Sequence, residues 1–184
     1  MLRLFHTCVL GLIGAGVVHL VILFLLPGYS LRDAWTQVSS VADYYETVQL
    51  RADSSAVKDL PKPADPFIDA AVCRFNLEDG MLSVRSQGDI PFWTLAIYDE
   101  RGLTTFSISD RVSSSPTLEA VVLTPIQMQR LKADEANEDD QSLYLETNVI
   151  EGFVLVRAFV PDETWQPKVS AFLKSLQCEA LETL

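Results

Sequence analysis

Histidine is nearly absent from this chain: of its 184 residues only His6 and His19 are histidines, and both lie close to the amino terminus. Everything beyond position 19 therefore lacks the residue on which Ser-His-Asp and Cys-His nucleophile sets and most zinc sites depend. Cysteine is scarce too, with three in the chain and no CxxC pair, which excludes a thioredoxin-type redox motif. No Walker-type or dinucleotide-binding glycine loop is present, since Gly14-x-Gly16 follows no soluble strand. Basic charge is in deficit, with 14 Lys and Arg against 25 Asp and Glu, a net charge of −11. Such a balance offers no basic patch for phosphate contacts and excludes nucleic acid as a partner. The length suits one modest domain with an appendage.

What the chain has first is a long uncharged run. Leu4 to Leu26 is 23 residues without a charge, 17 of them apolar. As a helix rising about 1.5 Å per residue it spans roughly 34 Å, enough for a hydrocarbon core of about 30 Å. Pro27-Gly28 predicts its end. A cleavable leader has an apolar region of about 7–15 residues closed by a small-x-small site. Here the run is longer and Leu25-Leu26-Pro27-Gly28-Tyr29 offers no such site, so residues 1–28 read as an uncleaved signal anchor and the lipid bilayer is the first expected partner. Arg3 and the amino group, set against Arg32 beside Asp33, barely bias the orientation. The acidic remainder, 13 Lys and Arg against 25 Asp and Glu beyond Arg3, and its two further cysteines favour a cytoplasmic N-terminus and an exported domain. The expected address is the bacterial inner membrane with a periplasmic C-terminal domain. His19 within the run is either a neutral side chain bonded to a neighbouring helix or a proton relay.

Residues 29–66 read as a juxtamembrane helix and linker. Ser30 and Asp33 form a capping signal, and Leu31, Ala34, Trp35 and Val38 are spaced for a short amphipathic helix, with Tyr29 and Trp35 as interfacial aromatics. Residues 52–66, with Pro61, Pro63 and Pro66, read as a linker. From 67 to 184 a β-rich soluble domain is expected. Val72–Leu77 and Met81–Arg85 flank Glu78-Asp79-Gly80, and Phe92–Asp99 and Thr104–Ile108 flank Glu100-Arg101-Gly102, two three-residue hairpin signals. Leu118–Leu123 is a further strand, and Thr124-Pro125-x-Gln127 predicts a capped helix to about Lys132. Leu143–Thr147 and Phe153–Val160 read as another strand pair around Asn148 to Gly152. Trp165, Val169, Phe172, Leu173 and Leu176 mark one face of a last helix. The fold class is α+β: an N-terminal transmembrane helix, then a mostly antiparallel sheet or sandwich with a C-terminal helix.

Cys73 lies in the first of these strands and Cys178 at the end of the last helix. In an oxidising compartment the two pair, tying helix to strand; as independent buried thiols they would not. Cys8, in the apolar run, behaves as a small apolar residue. Asp134, Glu135, Glu138, Asp139 and Asp140 lack the glycine of a calcium loop and read as a solvated stretch, so no metal site and no cofactor is expected. Arg157 alternates with Phe153, Leu155 and Phe159, placing a charge on an apolar row, where it needs a partner; Asp99, Asp110 and Glu119 are the candidates. The pairing is either a buried structural ion pair or part of an anion-binding site in which Arg157 and Arg111 hold the ligand, with Asp110 and Asp99 as the neighbouring site residues. Arg74 and Trp93 are further candidates for lining a pocket, although Trp93 alternates with Leu95 and Ile97 as a core residue would.

Four segments together carry a likeness: AAVCRFNL (Ala70–Leu77), PFWTLAIYDERGLTTFSISDR (Pro91–Arg111), EGFVLVRAFVPDETW (Glu151–Trp165) and the late Cys178. With Tyr29 to Trp35 they resemble domain of unknown function 1254, in its small alphaproteobacterial branch of single-pass membrane proteins. The resemblance implies a β-rich periplasmic domain behind an inner-membrane anchor. It brings no catalytic residues, because the family has no established activity. Larger relatives join this domain to a second β-rich domain that this chain is too short to contain, which implies a partner protein supplying it. The expected function is a partner-binding or envelope-complex accessory module. Its alternatives are a carboxylate-dependent envelope enzyme or subunit, which needs two facing carboxylates about 5–9.5 Å apart, and an anion-binding sensor.

Overall fold

A computed structural model describes residues 2–50, 65–112, 117–133 and 142–181. Residues 52–64 of the expected 52–66 linker and the acidic run Asp134–Asp140 lie outside the described residues, as do the side chains of Tyr29 and of the expected cap Ser30–Asp33.

Helix α1 runs without interruption from Leu2 to Val41, 40 residues. Its Arg3–Leu26 portion, with mean hydropathy 2.7, is long and apolar enough to cross a membrane. The expected stop at Pro27-Gly28 does not occur. A proline removes one N–H from the helical ladder while the turns on either side keep theirs, and apolar helices tolerate that loss. The short amphipathic helix expected around Leu31–Val38 is therefore the last part of α1 and not a separate element.

Among the described residues nine strands follow: β1 (Thr47–Gln49), β2 (Ile68–Asn76), β3 (Met81–Ser86), β4 (Trp93–Asp99), β5 (Thr104–Ser109), β6 (Leu118–Leu123), β7 (Leu143–Glu146), β8 (Glu151–Phe159) and β9 (Gln177–Leu181), with helices α2 (Pro125–Ala133) and α3 (Gln166–Lys174). They form two sheets, one ordered β1-β2-β8-β4-β5 and the other β7-β6-β3-β9, antiparallel except for the β6–β7 pair. The fold is α+β, as expected. The common core takes Cys73, Phe75, Trp93, Leu95, Val154 and Val156 from the first sheet and Leu82, Val84, Leu118 and Val122 from the second. Val169, Phe172 and Leu173 of α3 complete it, on the helical face expected from their spacing.

Two expected pairings are corrected. β2 and β3 are not a hairpin: Glu78-Asp79-Gly80 carries the chain from one sheet to the other, with Gly80 at φ 144°. The turn signal was right but each strand has other partners, β8 for β2 and β6 and β9 for β3. β7 and β8 are also in different sheets, β7 running parallel to β6 and β8 occupying the centre of the first sheet. The β4–β5 hairpin is present, turned at Gly102 with φ 76°. So is the capping box of α2: Gln127 N–H donates to Thr124 Oγ1 at 3.2 Å and Thr124 N–H to Gln127 Oε1 at 2.8 Å.

Cys73 and Cys178 form a disulfide. Cys178 lies in β9, beside Val84, and not at the end of α3, because a strand that sequence analysis did not foresee follows that helix. The bridge therefore joins the two sheets.

Candidate functional site

One end of the first sheet gathers three turns. β2 ends at Asn76, β4 turns at Asp99, and β8 begins at Glu151, and the register places Asn76 and Asp99 on either side of the β8 start. Between them is a cleft of about 590 Å3 lined by Asn76 and Glu78, by Asp99, Glu100, Arg101 and Thr105, and by Asn148 to Glu151. The strands pack tightly beneath it: a Cβ on Gly152 would collide with the Tyr98 carbonyl oxygen and approach Phe75 Cζ to 3.2 Å.

Asp99 is 7% exposed. Its Oδ1 accepts from Arg101 N–H at 3.0 Å and Leu103 N–H at 2.9 Å, and its Oδ2 from Arg101 Nε at 3.0 Å and an Arg101 terminal nitrogen at 2.9 Å. Burial alone would raise its pKa, but the Leu103 N–H, the Arg101 guanidinium and the Arg101 N–H together hold it below the ordinary carboxylate value. Asp99 thus stays ionised and closes the β4–β5 turn. A general acid needs the opposite shift. With Arg101 committed to Asp99 and Glu151 to Arg74, the cleft keeps Glu78 and Glu100 as its uncompensated negative charge.

Glu151 also faces a second cluster, on the outer face of the first sheet. It accepts a hydrogen bond from the Tyr44 hydroxyl and lies 3.7 Å from an Arg74 nitrogen. The Arg74 guanidinium stands 4.7 Å over the Trp35 ring and 4.3 Å over the Tyr44 ring, and donates to the Ala42 carbonyl at 3.3 Å. Trp35 in turn stacks on Phe153 with centroids 6.2 Å apart, and Val38 and Ala42 pack with Val48 and Val72. The end of α1 is thus built into the outer face of the first sheet. Tyr45 follows at φ 63°, its hydroxyl 2.7 Å from the Asn76 carbonyl and 3.0 Å from Asp79 Oδ2. Burial, then the Asp79 hydrogen bond, push the Tyr45 pKa up to about 12.

Arg157 is exposed, with Tyr98 Oη 3.2 Å from its guanidinium, so the expected buried pairing with Asp99, Asp110 or Glu119 is overturned. Its row was identified correctly but faces outward: Phe153 and Leu155 pack with the α1 cluster, while Val154, Val156 and Ala158 face the core. Arg157 lies level with Thr94 and Ser109 across two strands, about 10 Å at ordinary strand spacing. Asp110 and exposed Arg111 follow Ser109 in a 3-10 turn, and Asp110 Oδ1 is buried with no hydrogen-bond partner among the described residues. Asp99 lies five residues further along β4 from Thr94, roughly 17 Å away. The structure therefore brings Arg157, Asp110 and Arg111 to one region and leaves Asp99 in the cleft at the other end. Trp93, 1% exposed, is core. Glu78, Glu100 and Glu151 were missed; each flanks a turn that the sequence marks, and that position was the available signal. Among the described residues no group of three or more His, Cys, Asp or Glu is placed to hold a metal.

No family model and no curated protein matches the chain. Solved structures do match in fold. The VPA0106 protein from Vibrio parahaemolyticus aligns with TM-score 0.51 and 13% identity over 84% of this chain. An uncharacterised protein from Burkholderia cenocepacia aligns with TM-score 0.51 and 11% identity over 86% of it. The chain spans 36% and 42% of their respective lengths. These two folds and the α1-bearing β-rich domain define the class: an α+β protein of two packed sheets behind an apolar N-terminal helix.

Proposed function

We propose that this is a single-pass inner-membrane protein, N-terminus in the cytoplasm, whose disulfide-bridged domain stands in the periplasm and serves an envelope complex by binding a partner protein. The observation that carries the reading is the continuity of α1. One helix contains the apolar span and, through Trp35, Val38 and Ala42, the contact with Val72 and Phe153 on the sheet. A span continuous with a helical segment that packs on the domain acts as an anchor. The Cys73–Cys178 bridge supports an oxidising compartment. The resemblance to domain of unknown function 1254 belongs to the same reading, and the greater length of both structural neighbours is in keeping with relatives that carry further chain.

Alkaline phosphatase fused after Leu184 tests the topology, and the mass of the amino-terminal peptide tests retention of the span. An active fusion on a chain that keeps residues 1–26 is expected. An inactive but stable fusion, or a mature chain starting beyond Leu26, overturns the anchor. Crosslinking in the native membrane followed by mass spectrometry tests the partner. A reproducible envelope protein is expected; its absence redirects attention to a small ligand in the cleft.

A further inference from the structure

The four edges of the two sheets are not protected alike. β1 has three residues, β7 has four and ends at Glu146, and β9 carries Glu179. Short length and charge are the ordinary devices that keep an edge from pairing with another chain. β5 has neither. It is six residues, Thr104–Ser109, without a charge or a proline, and Thr104 to Ser107 are exposed. Among the described residues β4 is its one strand partner; a register shift at Thr105 is its only irregularity, and beyond it, over Phe106–Ser109, alternate backbone N–H and C=O groups point away from the sheet. Phe106 lies opposite Ile97 and Ile108 opposite Leu95, on the core-facing side, yet Phe106 is 38% exposed. A further strand would cover this row.

The acidic cleft opens at the same edge. Thr105 belongs to β5 and lines the cleft with Glu78, Glu100 and Glu151. An edge and a cleft that share a residue recognise two parts of one ligand: main chain along the strand, a cationic side chain at its end. We infer that β5 receives an extended segment of a partner protein as a sixth, antiparallel strand of the first sheet, with a Lys or Arg near the segment's C-terminal end seated between Glu78 and Glu100. The C-terminal placement follows from direction, because β5 runs away from the cleft and an antiparallel strand runs toward it. Charge selects the occupant. A second copy of this chain, also at net charge −11, is repelled, whereas a basic segment is attracted. This inference rests on the partner-binding reading and names the chemistry of the partner.

The test uses the full-length protein in nanodiscs and the labelled peptide Thr-Val-Thr-Ile-Thr-Val-Lys-Arg, read by fluorescence polarisation and by amide hydrogen exchange. Saturable binding that slows exchange across Thr104–Ser109 is expected. Ser107→Lys, which places a charge on the exposed strand, should weaken binding by about tenfold or more. Glu78→Gln with Glu100→Gln, or a peptide ending in Glu-Glu, should weaken it by about five- to tenfold. Unchanged exchange in β5 at saturation overturns the inference, as does equal binding of the Glu-Glu peptide or of the Ser107→Lys protein. Protection of β5 that rises with protein concentration and needs no peptide assigns the edge to a second copy and overturns the proposed occupant. If Ser107→Lys still captures the envelope partner in native membranes, the accessory-module reading stands and the edge inference falls alone.

Discussion

Cys73, in the interior of β2, is bonded to Cys178, in the edge strand β9 of the opposite sheet, across a Cα separation of 6.6 Å and 105 residues of chain. The bond ties the first long strand of the domain to its last strand. Closing a loop of that length stabilises by about 3–5 kcal/mol in the chain-entropy account. Cys178→Ala should lower stability by about that amount, read as the urea midpoint of the full chain in detergent, and reductant should shift wild type toward the variant. A wild-type midpoint indifferent to reductant would sink the prediction.

Arg74 and Arg157 lie on the same outer face of the first sheet but differ in what they hold. Arg74→Met removes two ring contacts and leaves Glu151 without its guanidinium, at a cost of about 1–3 kcal/mol. Arg157→Met removes one exposed contact with Tyr98 and should change stability by less than about 0.5 kcal/mol. Paired unfolding curves decide. The reverse order would mean that the α1 clamp contributes little.

Tyr45 supplies a pH signature. Its folded pKa of about 12 is raised above the unfolded value, near 10. The folded state therefore retains this proton where the unfolded state has lost it. The associated stability is fully present below about pH 10 and is lost as pH rises through the folded pKa. Stability should fall across that alkaline window, and Tyr45→Phe should flatten the fall while costing about 1 kcal/mol at neutral pH through the lost hydroxyl hydrogen bond. Absorbance titration of tyrosinate alongside alkaline denaturation measures both.

Gly152 is where β8 passes the Tyr98 backbone too closely for any side chain. Gly152→Ala has to part β4 from β8 beneath the cleft, so a loss of more than about 3 kcal/mol is expected. Gly88→Ala makes an informative comparison: its Cβ would meet Phe172 at an ordinary 3.4 Å, but its φ of 145° disfavours a side chain. Thermal melts of the two variants separate a steric cost from a conformational one.

Much of the fold was legible locally. The uncharged run, the β4–β5 hairpin, the α2 capping box and the apolar face of α3 depend on residues within one element or one turn, where spacing and turn chemistry suffice. The cysteine pairing was legible as a pairing, although Cys178 was placed on a helix end because the short strand Gln177–Leu181 offers little pattern of its own.

The candidate site was less legible. Arg157 shows why: β8 carries apolar residues on both rows, one packed into the core and one packed with α1, so alternation separated the rows without saying which faced inward. Composition and local pattern alone determined an acidic chain with an apolar helix, a β-rich domain and two cysteines able to pair. Tertiary structure decided which sheet each strand joins, how α1 continues beyond Pro27 onto the outer face, and how Asn76, Asp99 and Glu151 meet around one cleft. The physical reason is range. Helix caps and hairpin turns are set by neighbours in sequence, whereas strand partners and faces are chosen by burial between segments up to a hundred residues apart.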